Sequence, residues 1–159
     1  MTEKHTLSCL VENHFGVLAR ISGLISARGF NIDSLTVSTT EDPTISRMTI
    51  VVDADAQKLE QVKNQLSRLI DVIEVHELKD GGFLDRELLL ARVNLPGAKA
   101  KELEQLAARY GAKLAHTSDH SVVVEASGDT KAVDRLMDEL RPYGITKLVR
   151  TGRVALEKS

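Results

Sequence analysis

Apolar and polar positions alternate from Thr6 to Glu12, with Leu7, Cys9 and Val11 on one side and Thr6 and Ser8 on the other. A period of two marks a half-buried strand. The period then lengthens, because Val17, Leu18, Ile21, Leu24 and Ile25 fall at helical spacing, and Gly29 follows Arg28 where a helix would end in a left-handed residue. Alternation returns from Ile32 to Thr39 through Leu35 and Val37, and Glu41-Asp42-Pro43-Thr44 reads as a turn. Arg47 to Asp53 turns Met48, Ile50 and Val52 inward. Leu59, Val62, Leu66 and Leu69 stripe a second helix, opened by Asp53 or Asp55 as cap. Val72 to Leu78 reads as a fourth strand through Ile73 and Val75.

After the polar, glycine-bearing connector Lys79-Asp80-Gly81-Gly82 the same order of elements returns. Arg86 to Asn94 predicts a strand, and Pro96-Gly97 opens a helix striped by Leu103, Leu106, Ala107 and Tyr110. Ala112 to Thr117 and Ser121 to Ser127 pair across Ser118-Asp119-His120. Asp129 or Thr130 opens a helix with Val133, Leu136, Met137 and Leu140, and Ile145 to Arg153 is the last strand. The fold class is α+β: two consecutive ferredoxin-like βαββαβ domains, residues 1–79 and 80–159. Only the element order repeats, not the residues. Leu88-Leu89-Leu90 and Val122-Val123-Val124 are continuous apolar runs, which predict strands buried on both faces. A homo-oligomer is expected to cover the second face, the alternative being a contact between the two domains of one chain.

Composition narrows the function. The 159 residues are 42% apolar and carry a net charge of −2, which excludes a disordered chain and gives no support to a nucleic-acid-binding surface. With 3 Phe, 2 Tyr and no Trp, and no aromatic in the first or third strand, base stacking is poorly supplied. No run approaches the ~20 apolar residues of a membrane span, and Met1 to Thr6 lacks the basic and apolar segments of a secretory signal. A single Cys, Cys9, makes no internal disulfide and fits a reducing cytoplasm.

Catalytic signatures are missing. There is no G-x-G-x-x-G, Walker or G-x-S-x-G motif, and Cys9 sits mid-strand on the inward face. His116 and His120 fall across a predicted turn without a third ligand in motif spacing, so no metal site is expected. The strands offer Ser, Thr and aliphatic side chains rather than the convergent polar cluster a small enzyme would need.

One constellation stands apart. Asn13-His14-Phe15-Gly16-Val17-Leu18 links the first strand to the first helix. Unpaired N–H groups of a first helical turn carry partial positive charge, and a Gly lets an anion approach them. Asn13, and Asn31 at the start of the second strand, can bind either charged end of a free amino acid. Val17, Leu18 and Ile32 could line an apolar pocket for its side chain. Ordinary turn and cap residues would show the same types.

This arrangement resembles an ACT domain, an amino-acid-sensing module. The run Arg28-Gly29-Phe30-Asn31-Ile32-Asp33-Ser34-Leu35-Thr36-Val37, continued by Glu41-Asp42-Pro43-Thr44-Ile45-Ser46-Arg47-Met48-Thr49-Ile50, resembles the regulatory (small) subunit of acetolactate synthase. Val11-Glu12-Asn13, Gly16-Val17-Leu18-Ala19-Arg20, Asp71-Val72 and Asp85-Arg86-Glu87-Leu88-Leu89-Leu90 resemble further landmarks of that family. The resemblance implies a non-catalytic subunit without a cofactor of its own. Its partner is a catalytic subunit using thiamine diphosphate, magnesium and FAD. The small subunit raises that partner's activity and confers feedback inhibition by valine or another branched-chain amino acid. It implies a homodimer whose effector lies between two ACT domains, with Asn13, Gly16, Val17 and Leu18 from one chain facing Asn31 and Ile32 from the other. No role is implied for His14 or Phe15. The rival is an ACT-type sensor serving a different amino-acid biosynthetic enzyme.

Overall fold

The computed structural model describes residues 3–94 and 97–159. The elements run β1 (Glu3–Glu12), α1 (Val17–Ala27), β2 (Ile32–Thr39), β3 (Ile45–Ala54), α2 (Ala56–Leu66) and β4 (Val72–Leu78). Then follow β5 (Phe83–Asn94), a 3-10 turn (Gly97–Lys99), α3 (Ala100–Arg109), β6 (Lys113–Thr117), β7 (Ser121–Gly128), α4 (Thr130–Leu140), a second 3-10 turn (Arg141–Tyr143), β8 (Ile145–Arg150) and β9 (Val154–Glu157). Pro96, expected to open α3, lies outside the described residues. The chain forms two compact units, Met1–Leu84 with Arg153–Ser159, and Asp85–Gly152. The last seven residues thus return to the first unit, where a linear reading assigns them to the second.

In the first unit the sheet order is β2-β3-β1-β4, antiparallel throughout. Alternation puts Leu7, Cys9, Val11, Met48, Ile50 and Val52 on the inner face, where they meet Val17, Ile21 and Ile25 of α1 and Leu59, Val62 and Leu66 of α2. Each such fully buried large side chain contributes about 1.5–3 kcal/mol. Asp55, not Asp53, caps α2: its carboxylate accepts from Lys58 N at 2.8 Å. Gly29 has φ +74°, and its N–H closes the end of α1 on Ser26 O at 3.0 Å. The expected fourth strand forms, but the β1–β4 register slips between Leu10↔Glu74 and Val11↔Val72. Ile73 occupies that bulge and is exposed instead of inward.

The outer face of this sheet carries hydroxyls, yet Thr6, Ser8 and Thr49 are buried. The C-terminal segment supplies much of the cover. Thr36 Oγ1 donates to Arg153 O at 2.7 Å, Arg153 Nη1 donates to Thr6 Oγ1 at 2.6 Å, and Ala155 N donates to Thr49 Oγ1 at 3.4 Å. Arg47 Nη1 reaches Ser8 Oγ at 3.1 Å. The Arg153 guanidinium also stands 5.9 Å from the Phe83 ring centroid. The strand expected from Ile145 to Arg153 ends at Arg150, and β9, which the sequence does not announce, starts beyond it at Val154. Gly152, at φ +81°, lies between the two, and β9 pairs β5.

The second unit repeats the order as β6-β7-β5-β8. Leu89, Ala91, Val93, Val122 and Val124 pack against Leu103 and Leu106 of α3 and Val133, Leu136 and Leu140 of α4. Asp129 caps α4, accepting from Ala132 N at 2.7 Å. On the inner face itself, in line with Leu89 and Ala91, Glu87 is buried in an ion pair with the partly buried Arg150. Arg150 grips Glu87 through Nε at 2.5 Å and Nη2 at 2.7 Å, and Nη1 reaches Asp134 at 2.9 Å. It ties β8 to β5 and α4. The continuous apolar runs are buried on one face only in a single chain: Leu89 is fully buried, but Leu88 and Leu90 are 39% and 37% exposed.

Candidate functional site

The loop between β1 and α1 is built by three local decisions. Asn13 fastens it to the β2–β3 turn: its N–H donates to Thr44 O at 2.7 Å and its Nδ2 to Pro43 O at 2.9 Å. That turn is itself held by Asp42, whose carboxylate accepts from Thr44 N at 2.9 Å and from Thr44 Oγ1 at 2.6 Å. These bonds hold the Asp42 carboxyl below its usual pKa. Gly16 then takes φ +86°, a left-handed conformation open to Gly at no steric cost, and the helix starts at Val17. No side chain caps α1, unlike α2 and α4. The first turn begins with Val17 N on His14 O at 3.5 Å and Arg20 N on Gly16 O at 3.0 Å.

A Cβ at Gly16 would meet only the end of the Arg20 side chain, at 4.0 Å. The surface above the α1 N-terminus is therefore open. Val17 is buried in the core, so its side chain cannot line a pocket there and only its backbone faces the loop. Leu18 is exposed.

The second group lies elsewhere. Asn31 is exposed, with Nδ2 on Asp33 Oδ1 at 3.4 Å, and Ile32 packs half-buried against the core. Ile32 pairs with Val52, and Val52 pairs with His5. Asn13 follows Glu12 at the other end of β1. From His5 to Glu12 the strand covers roughly 23 Å at ~3.3 Å per residue. One chain therefore does not bring Asn13, Gly16, Val17 and Leu18 together with Asn31 and Ile32. A pocket sharing both groups needs two chains.

The loop holds a charged cluster that sequence reasoning missed. His14 Nε2 lies 2.8 Å from Asp71 Oδ1 and 3.2 Å from Glu12 Oε2, and Arg20 Nη2 lies 2.7 Å from Asp71 Oδ2. The Phe15 carbonyl on Nδ1, with Asp71 and Glu12, holds the His14 imidazolium above its usual pKa. Asp71 arrives from the α2–β4 connection, so no local spacing announces the cluster. The signal available in sequence was the bulge-prone run Ile70-Asp71-Val72-Ile73, with a charge amid aliphatic residues. His116 and His120 join no such group among the described residues. Cys9 is buried, and desolvation pushes its pKa up to about 12, far from a nucleophile. No helix among the described residues is long and apolar enough to cross a membrane.

Comparison with known proteins covers both units. Residues 7–74 match the model of the AHAS small subunit-like ACT domain, and residues 86–159 match that of the small subunit of acetolactate synthase. The chain is 47% identical over 153 residues to the probable acetolactate synthase small subunit of Archaeoglobus fulgidus, covering 96% of each. It is 44% identical over 154 residues to the acetolactate synthase small subunit of Mycobacterium leprae, covering 97% of this chain and 91% of the relative. The crystal structure of the small subunit from Thermotoga maritima superposes with a TM-score of 0.90 at 30% identity, over 99% of this chain and 98% of that one. A fold of two βαββαβ units and these relatives lead to one conclusion: the chain belongs to the acetolactate synthase small-subunit family, with an ACT domain as its first unit.

Proposed function

We propose that this small subunit activates a thiamine-diphosphate-dependent catalytic subunit, which also carries magnesium and FAD, and that it imposes feedback inhibition by valine. It binds no cofactor for catalysis itself and acts in the cytoplasm. The effector sits between the ACT domains of a homodimer. Its carboxylate meets the N–H groups near Gly16 to Leu18, and its ammonium meets Asn13 Oδ1, Asn31 and a carbonyl near Ile32. The observation that carries this reading is the pairing register. It sets the two candidate groups at opposite ends of one sheet, so that only a second copy can complete a pocket. The N-terminus of α1 supports the carboxylate position, because it has no side-chain cap, whereas α2 of the same unit is capped by Asp55.

A split pocket supplies the mechanism. Valine stabilises the dimer arrangement that completes its site, and the catalytic subunit responds to that arrangement. The coupling is limited by the ligand's differential affinity for the two arrangements, typically ~1–3 kcal/mol. Because the relatives named above are small subunits of acetolactate synthase, they argue against service to a different amino-acid enzyme. The test is acetolactate formation by the cognate catalytic subunit with and without this protein, each titrated with valine. Stimulation that valine reverses is the expected result. A competent catalytic subunit that is not stimulated at any ratio would overturn it.

A further inference from the structure

We propose that Glu12, His14 and Asp71 form a zinc-binding site at the base of the β1–α1 loop. The inference stands apart from the effector reading. Three ligand atoms, His14 Nε2, Asp71 Oδ1 and Glu12 Oε2, all lie within 4.8 Å of one another. Ligands held at about 2.1 Å from zinc are separated by about 3.0 Å at right angles and about 3.4 Å at the tetrahedral angle. The separation from Nε2 to Glu12, 3.2 Å, falls within that spacing, and the one to Asp71, 2.8 Å, needs an opening of only about 0.2 Å to reach it.

The surroundings are those of a built site. Asp71 has a side chain only 6% exposed, and its two oxygens are divided: Arg20 Nη2 takes Oδ2 at 2.7 Å, leaving Oδ1 turned to His14. His14 Nδ1 lies 3.2 Å from Phe15 O. Donation from Nδ1 to that carbonyl fixes the ring and presents Nε2 as the ligand atom, the usual outer-shell arrangement of a metal-bound His. The ion replaces the proton that Nε2 shares with the two carboxylates, which is released to solvent. Glu12 and His14 are exposed, so water completes the coordination. An imidazole with two carboxylates suits zinc, whereas magnesium prefers all-oxygen ligands and retains its water. Since Glu12 ends β1, Asp71 precedes β4 and His14 lies in the loop, the ion would clamp the loop to the sheet.

Zinc chloride is titrated into the full-length protein by calorimetry in a buffer that does not chelate, and cobalt absorption reports the ligand field. One ion per chain is expected for the wild type. Removal of an outer-shell partner alone costs about 10–100-fold in affinity, so His14→Gln and Glu12→Gln are each expected to weaken binding at least tenfold. Both sites are exposed, and circular dichroism checks that each variant keeps its fold. Wild-type protein that binds no zinc, or His14→Gln that binds it equally well, would overturn the site. Millimolar magnesium is expected not to displace the ion; displacement would overturn the assignment to zinc.

Discussion

The two units share one topology and use their sheets differently. In the first, the outer face is hydroxyl-rich and closed by the chain's own C-terminal segment through Thr6, Thr36 and Thr49. In the second, the outer face is apolar and Leu88, Leu90 and Val149 stand exposed. The charges differ in the same sense. The second unit buries a bidentate Glu87–Arg150 pair that locks its frame. The first keeps its charged cluster of Glu12, His14, Asp71 and Arg20 beside a loop whose helix has no side-chain cap. A fold rule common to both halves gives each unit its core. The residues free of that rule, on outer faces and at helix starts, divide the labour.

The largest effect is expected at the uncapped helix. Gly16→Asp should abolish valine inhibition while leaving activation of the catalytic subunit in place, because the new carboxylate occupies and repels the effector's carboxylate position. Asp tolerates a left-handed φ better than most residues, so the fold survives at a cost of about 1–2 kcal/mol. Inhibition curves for the reconstituted complex check this. An inhibited variant would remove the first unit's claim to the site.

Next in size is the ion pair of the second unit. Arg150→Ala strands Glu87, which is nearly fully buried, without its cation. Breaking a buried pair in this way costs about 3–5 kcal/mol, and chemical denaturation should show it as a loss of the second unit's transition. Removal of either exposed partner in the first unit's cluster, by Glu12→Gln for example, should change stability by less than about 1 kcal/mol. Equal losses would erase the contrast between the two charge clusters.

Smaller again are the caps. Asp55→Ala and Asp129→Ala each lose a bond to a first-turn N–H, at 2.8 and 2.7 Å, and should cost about 1 kcal/mol each. The smallest signal is chemical. With its pKa pushed up to about 12 by burial, Cys9 has almost no thiolate at neutral pH and should ignore a thiol reagent until the first unit unfolds. Reaction with the folded protein would show that the inner face opens.

Much of this was legible in the chain. Alternation at Leu7-Cys9-Val11 and the stripe Leu59-Val62-Leu66 reported the core faces directly, because a strand and a helix each have one period. Other features follow from contacts that periodicity does not encode. Ile73 looks inward by pattern but sits in a bulge set by the partner strand's register. The run from Ile145 to Arg153 looks continuous, yet the chain turns at Gly152 and sends β9 back to the first unit. Thr6 reads as solvent-facing because Arg153, which covers it, is remote in sequence. For the candidate site, Asn13 and Gly16 were visible from loop chemistry. Asp71 was not, since its meeting with His14 depends on β1 and β4 lying side by side.

The central claim is that each effector pocket is shared between chains, and complementation tests it most directly. Gly16→Asp and Asn31→Ala chains are made separately and also co-expressed as mixed dimers, and valine binding is measured by calorimetry. Neither variant alone should bind. A mixed dimer places both lesions in one pocket and leaves the other intact, so valine binding should reappear. Mixed dimers that stay silent, or an Asn31→Ala dimer that binds normally, would contradict a pocket built from both ends of the sheet.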